Sequence, residues 1–169
     1  MRHIRSIVRS MIVPSGYIVA MDDGYIIWNP RCGQKQKTKI NALATALLGL
    51  FDPDGDIKTV VVGDNSGRVN LIDIGTMETI CSFTTSSPIR SICVSNLHNN
   101  SLIAGCDDGT VYLVGKDIPG GVRRILELEH PVSGVIMAGR ILRISQGWET
   151  KEIEWNHTLY DNSKILVSA

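Results

Sequence analysis

The sequence lacks the features by which several large classes of protein are recognised. Lysine plus arginine and aspartate plus glutamate both number 17, so no net charge draws the chain toward nucleic acid or anionic lipid. No apolar run approaches the roughly 20 residues of a membrane-spanning helix. The basic stretch from Met1 to Arg9 alternates apolar and polar residues, whereas a secretory signal has a continuous apolar segment. We therefore expect a soluble globular protein whose partner is neither nucleic acid nor a membrane.

Cysteine is scarce and shows no paired spacing. None of the four cysteines belongs to a Cys-x-x-Cys motif; they are Cys32, Cys81, Cys93 and Cys106. Isolated thiols are typical of a reducing compartment, whereas a disulfide framework or a zinc site needs paired cysteines. The pattern predicts a cytoplasmic protein with free thiols.

Catalytic signatures are also missing. The chain contains no P-loop, no Gly-x-Ser-x-Gly and no Gly-x-Gly-x-x-Gly motif. The four histidines are scattered, without the spacing of a metal site: His3, His98, His130 and His157. The sequence therefore predicts no catalytic residue and a protein that is not an enzyme.

A hairpin pattern that recurs is the strongest positive feature. Asp-rich or Asn-rich turns that end in glycine separate apolar runs around Gly24, Gly67 and Gly109, with a weaker case at Gly147. Asp and Asn tolerate left-handed backbone angles and glycine adopts them freely, so each turn predicts a hairpin. The glycines follow one another at intervals of about 40 residues, which is the length of a four-stranded propeller blade. The pattern predicts an all-β protein made of four stacked blades, each of four strands.

The same segments resemble the WD-repeat family. Gly63 to Asp73 matches the family's third-strand motif with Ile72 in the place of tryptophan, and Ala104 to Val114 matches it with Val114 there. Trp28 keeps the tryptophan, and His130 stands where the family often has a Gly-His pair. The resemblance covers nearly the whole chain. It implies a WD-like β-propeller that presents a rigid face and a central channel to protein partners.

The repeat register predicts one domain over residues 1–169, with blades at about 1–41, 42–86, 87–129 and 130–169. The first blade is expected to begin with a strand at Ile4 to Val8. Ala42 to Leu48 has helical propensity, but the register places a strand there. The last blade is the least regular, and its fourth strand is expected at Lys164 to Val167. Lys35, Lys37 and Lys39 alternate along an expected edge strand, where lysine opposes sheet-edge pairing.

Four blades would leave two apolar blade faces bare, which is rare in a soluble monomer. Three arrangements cover these faces. A second copy completes an eight-bladed ring, a different chain supplies the missing blades, or four blades close alone into a small ring. Two-fold homodimers are the commonest oligomers, so we favour a homodimer in which each chain is half of the ring.

Two groups of carboxylates are candidate sites. Asp52, Asp54 and Asp56 alternate around Gly55, and carboxylates in this spacing can hold a hard cation such as Ca²⁺. The stretch from Leu50 to Gly63 also resembles the calcium loops of FG-GAP propeller repeats; the alternative is a polar turn. The second group recurs in register in the hairpin turns and predicts an acidic, partner-binding rim; it consists of Asp22, Asp23, Asp64, Asp107 and Asp108. Its alternative is that Asp only makes the turn.

The function expected from these observations is a non-enzymatic scaffold for protein partners. The alternative is a propeller that binds a metal or small ligand at the Asp52, Asp54 and Asp56 loop or at the channel mouth, without any other cofactor. An enzyme with residues around the channel rests on fold analogy alone.

Overall fold

The computed structural model describes residues 6–96 and 101–155. The described elements are fifteen β-strands in four antiparallel sheets. The chain divides into two compact units, Met1–Ile89 and Arg90–Ala169. No helix among the described residues is long and apolar enough to cross a membrane.

The first unit contains sheets 1 and 2, in which consecutive strands are neighbours. Sheet 1 is made of β1 (Ile7–Val13), β2 (Gly16–Met21), β3 (Tyr25–Pro30) and β4 (Gln36–Lys39). Sheet 2 is made of β5 (Ala44–Phe51), β6 (Ile57–Asp64), β7 (Arg68–Asp73) and β8 (Thr79–Thr84).

The second unit contains sheets 3 and 4, again with consecutive strands as neighbours. The four strands of sheet 3 are β9 (Ile89–Val94, which starts at the boundary of the units), β10 (Ser101–Cys106), β11 (Thr110–Gly115) and β12 (Val122–Glu127). Sheet 4 has three described strands, β13 (Gly134–Ala138), β14 (Ile141–Gln146) and β15 (Glu149–Glu154). The strand expected at Lys164 to Val167 lies outside the described residues.

Each unit has its own core between its two sheets. In the first unit Ile18 and Ile26 of sheet 1 pack with Val60 and Ile72 of sheet 2, and all four are inaccessible to solvent. Successive side chains of a strand point to opposite faces, so Ile18 and Ala20, two residues apart in β2, both face this core. The first strands of the two sheets, β1 and β5, also contact each other.

The core of the second unit follows the same plan. Ile103 and Leu113 of sheet 3 pack with Val135, Leu142 and Ile144 of sheet 4. The first strand of sheet 4 contacts β10 of sheet 3. Side-by-side packing of sheets in chain order is the relation of neighbouring propeller blades.

Two of the expected strands can be compared with the observed elements in detail. The strand expected at Ala42 to Leu48 is confirmed as β5, because burial of one face outweighs the helical propensity of its residues. The strand expected at Ile4 to Val8 was given too early an end, since β1 continues to Val13; Ile4 and Arg5 lie outside the described residues. Pro14 ends it, because proline has no N–H to donate to the ladder.

Candidate functional site

The turn that links the second and third strands of each sheet is called the central turn. In sheets 1, 2 and 3 this turn has one geometry, in which Gly24, Gly67 and Gly109 have φ angles of 82°, 83° and 86°. The amide of each glycine donates to the carbonyl oxygen three residues earlier, at distances of 3.1, 3.2 and 3.3 Å. Local turn chemistry therefore shapes three hairpin tips alike, as the repeat predicts.

The backbone segment that follows the fourth strand of each sheet also passes close to the glycine of that sheet. A Cβ on Gly24 would meet the carbonyl oxygen of Ile40, and a Cβ on Gly109 would meet those of Leu128 and His130. In return, the amides of Ile40 and Leu128 donate to the carbonyl oxygens of Gly24 and Gly109 at 2.9 and 3.1 Å. The central turns are therefore fixed to the neighbouring backbone, so they form rigid tips.

Asp64 is buried inside the central turn of sheet 2. Its side chain accepts hydrogen bonds from the amides of Ser66 and Arg68, at 2.8 and 3.0 Å, and from the side-chain amide of Asn70 at 3.2 Å. The hydroxyl of Ser82 donates to Asn70 at 2.9 Å, which extends the network across the sheet. Asp64 is only 1% exposed, so the expectation that it lies on a partner-binding rim is wrong for this residue. Asn70 and Ser82 were missed because only strand pairing brings them to Asp64.

The four other carboxylates of the predicted rim are at least partly exposed. Asp23 and Asp108 accept hydrogen bonds from backbone amides two residues ahead, at 3.4 and 3.0 Å, and so help to make their turns. Asp22 accepts a hydrogen bond from the hydroxyl of Ser6 at 2.7 Å. Asp107 forms an ion pair with Arg90 at 2.6 Å. Turn formation thus accounts for two of these side chains, and partner binding by this group stays a prediction.

The central turn of sheet 4 differs from the others. Gln146 pairs directly with Glu149, so only Gly147 and Trp148 form the loop. Gly147 has a φ angle of 59°, which glycine adopts without strain. The Trp148 side chain is completely exposed at the tip. The side-chain amide of Gln146, which is buried, donates to the backbone carbonyl of His130 and fixes the base of this hairpin.

The loop between β5 and β6 holds the predicted calcium ligands. Asp52 accepts a hydrogen bond from the amide of Asp56 at 2.9 Å and forms an ion pair with Lys58 at 3.3 Å. Partial desolvation raises the pKa of Asp52, but the Asp56 amide and the Lys58 ammonium outweigh it, so the pKa lies below the ordinary value. Asp54 and Asp56 are exposed.

The carboxylates of this loop are not gathered around a common point. Among the described residues no group of three His, Cys, Asp or Glu side chains is placed to hold a metal ion. The contacts of Asp52 are those of a polar turn closed by a lysine. The calcium hypothesis therefore stays a prediction without a ligand cluster to support it.

The cysteines differ in their surroundings. Cys32 is exposed and Cys106 is buried, while Cys81 and Cys93 are partly buried. Burial raises the pKa of Cys93 to about 11, although a hydrogen bond with the backbone of Met137 opposes the rise.

Comparison with known proteins places the fold in one class. No family model matches the sequence, and no curated protein matches it. The structure nevertheless has the fold of WD40-type β-propellers. The sequence resemblance to WD repeats is thus confirmed at the level of the fold.

Three solved structures illustrate the match. The computationally designed Ika4 protein is 21% identical with a TM-score of 0.74, over 91% of this chain and 94% of that one. U3-55K is 15% identical with a TM-score of 0.74, over 99% of this chain and 53% of that one. The β-propeller domain of Cps50 (Swd1) from Myceliophteria thermophila is 14% identical with a TM-score of 0.66, over 93% of this chain and 58% of that one. The chain therefore spans nearly all of the first structure and little more than half of the other two.

Proposed function

We propose that this protein is a non-enzymatic scaffold that binds protein partners through the central-turn ends of its sheets. We further propose that it acts in the cytoplasm as a homodimer whose two copies complete an eight-bladed ring. The observation that carries the scaffold proposal is Trp148, a fully exposed tryptophan on a two-residue turn.

Trp148 has the properties of a binding anchor. Tryptophan is among the residues most enriched at the energetic centres of protein interfaces, because it combines a large apolar surface with an N–H donor. The two-residue loop and the bond from Gln146 restrict the backbone around Trp148 before a partner binds. A preorganised anchor loses little conformational entropy on binding, which favours affinity.

The partly exposed carboxylates at the other central turns support a partner that carries basic groups. Asp22, Asp23, Asp107 and Asp108 lie at the same ends of their sheets as Trp148 does in sheet 4. Acidic groups at a binding face raise the association rate with basic partners and disfavour the binding of acidic partners.

The homodimer proposal rests on size. The chain spans 53% of U3-55K and 58% of the Cps50 propeller domain. A second copy would supply a comparable number of blades.

The scaffold proposal is tested by quantitative capture from a cytoplasmic extract with the wild-type chain and Trp148→Ala. We expect at least one protein to bind the wild-type chain and to lose about tenfold or more of its binding to Trp148→Ala, as for a hot-spot residue. Phe51→Ala is the matched control, because Phe51 is exposed at the opposite end of sheet 2. Equal capture by all three chains would contradict the proposal.

A further inference from the structure

An aspartate that is followed by glycine is able to rearrange its own backbone. The amide nitrogen of the glycine attacks the side-chain carboxyl carbon of the aspartate, a new N–C bond forms, and the protonated carboxyl group loses water. Water then opens the cyclic succinimide at either of its carbonyl groups. One opening restores aspartate, and the other gives isoaspartate, in which the main chain passes through the former side chain.

The chain contains three Asp-Gly pairs, which are Asp23-Gly24, Asp54-Gly55 and Asp108-Gly109. Glycine favours the attack because it has no side chain to hinder the approach of its nitrogen. The reacting groups are the same in all three pairs, so the surrounding structure decides which pair reacts first.

The three glycines have similar backbone geometry. Gly24, Gly55 and Gly109 have φ angles of 82°, 86° and 86°. Each glycine amide donates to the carbonyl oxygen three residues earlier, at 3.1, 3.0 and 3.3 Å respectively. This hydrogen bond must open before the nitrogen attacks at any of the three sites, so it does not distinguish them.

Further contacts restrain Gly24 and Gly109. Both glycines are buried, and their carbonyl oxygens accept hydrogen bonds from the amides of Ile40 and Leu128 at 2.9 and 3.1 Å. The glycine cannot turn toward the preceding side chain while its carbonyl is held in this way. Formation of the succinimide therefore requires a second hydrogen bond to open at each of these sites.

The carboxylates of Asp23 and Asp108 are restrained as well. They accept hydrogen bonds from the amides of Tyr25 and Thr110 at 3.4 and 3.0 Å. These bonds hold each carboxylate toward the amide that follows the glycine, so a third hydrogen bond must open before the reaction.

The pair Asp54-Gly55 has none of these additional restraints. Both residues are exposed, and a Cβ on Gly55 would meet nothing within 4 Å. Within residues 6–96 and 101–155, neither the carboxylate of Asp54 nor the carbonyl of Gly55 accepts a hydrogen bond. Backbone with few contacts opens at a low free energy, so this pair reaches the reactive geometry most readily.

We propose that Asp54 is the site at which this protein forms isoaspartate. The reaction needs no partner other than water and leaves the mass of the chain unchanged. Two more hydrogen bonds must open at Asp23 and at Asp108 than at Asp54, which makes the reaction there slower by about tenfold or more.

Isoaspartate would change the loop between β5 and β6. The loop is closed by the amide of Asp52, which donates to the carbonyl of Asp56, and by the amide of Asp56, which donates to the carboxylate of Asp52, each at 2.9 Å. An additional main-chain carbon at position 54 would disturb this closure. The loop lies at the end of sheet 2 opposite its central turn, so partner binding at the central turns does not depend on this reaction.

The test is slow ageing of the folded wild-type chain at body temperature and mildly acidic pH over several weeks. Trypsin places the three Asp-Gly pairs in separate peptides. An isoaspartyl peptide keeps its mass, elutes separately in liquid chromatography and accepts a methyl group from S-adenosylmethionine through an isoaspartyl methyltransferase. We expect isoaspartate to accumulate at Asp54 at least about tenfold faster than at Asp23 and Asp108.

Two controls accompany the wild-type chain. Asp54→Glu keeps the charge at an exposed position, but the longer side chain would have to close a larger ring, so its peptide should stay unmodified. Ageing in concentrated urea removes the restraints of the fold, so all three pairs should then react at similar rates.

Three results would overturn the proposal. The first is an absence of isoaspartate at Asp54 in the folded chain, and the second is accumulation at equal rates in all three pairs. The third is a preference for Asp54 that persists in urea, since the local sequence rather than the structure would then select the site.

Discussion

At the scale of the residue, Gly55 and Gly109 share a φ angle of 86° but differ in their surroundings. A Cβ on Gly55 would meet nothing within 4 Å, whereas one on Gly109 would collide with two carbonyl oxygens. We expect Gly55→Ala to lower the free energy of unfolding by about 1 kcal/mol through backbone strain alone. Gly109→Ala should lower it by about 3 kcal/mol or more, because a clash is added. Urea unfolding of both variants measures the difference, and equal losses would contradict a close approach at Gly109.

Asp64 shows what a buried carboxylate contributes to a central turn. Asp64→Ala leaves the amides of Ser66 and Arg68 and the side chain of Asn70 without their acceptor. We expect a loss of about 2–3 kcal/mol in the free energy of unfolding, measured in urea. Asp54→Ala, at an exposed carboxylate, serves as the control and should cost less than about 0.5 kcal/mol. A similar loss of unfolding free energy in both variants would show that the buried network of Asp64 does not contribute to stability.

The cysteines should differ in reactivity. The pKa of Cys93 is about 11, so only about one thiol in a thousand is ionised at pH 8. We expect iodoacetamide at pH 8 to label the exposed Cys32 well before Cys93, and peptide mass spectrometry to show it. Labelling after denaturation is the control, since both thiols should then react at similar rates. Early modification of Cys93 in the folded chain would contradict its burial.

At the scale of the element, the loop between β5 and β6 depends on one lysine. We expect Lys58→Ala to raise the pKa of Asp52 toward its ordinary value, because the ion pair that favours the carboxylate is lost. A carbon-13 titration of the carboxyl group measures this change. Lys37→Ala, on β4 in another sheet, is the control and should leave it unchanged. An unaltered titration in Lys58→Ala would contradict the ion pair.

The sign of the associated pH dependence follows from the lowered pKa. Asp52 binds a proton more weakly in the folded chain than in the unfolded chain. Its contribution to stability is therefore present above the unfolded pKa, near 3.8, and is lost as the pH falls through the lower folded value. Lys58→Ala should therefore reduce the loss of folding stability that Asp52 causes on acidification.

At the scale of the whole molecule, self-association is the first property to measure. If two copies complete the ring, light scattering should give twice the 18.5 kDa mass of one chain. Apolar burial between blades is the expected driving force, so the dimer should persist at moderate salt. A mass of 18.5 kDa at every concentration would contradict the homodimer.

The sequence by itself determined the element type and the order of the hairpins. Turns that contain Asp or Asn and end in glycine, proline residues and two-residue alternation act between neighbours in the chain, so Gly24, Gly67 and Gly109 mark their turns without knowledge of the rest. The repeat of these turns was enough to predict an all-β fold of four sheets, including β5 against its helical propensity.

Only the tertiary structure decided which similar residues are covered and which are bare. Asp64 and Asp73 both end strands of sheet 2, yet Asp64 is buried in a network with Asn70 and Asp73 is only partly buried. Ile12 and Ile18 both look like core residues in an alternating strand, yet only Ile18 faces the neighbouring sheet. Burial depends on strands that are distant in sequence, and no local pattern specifies what they cover.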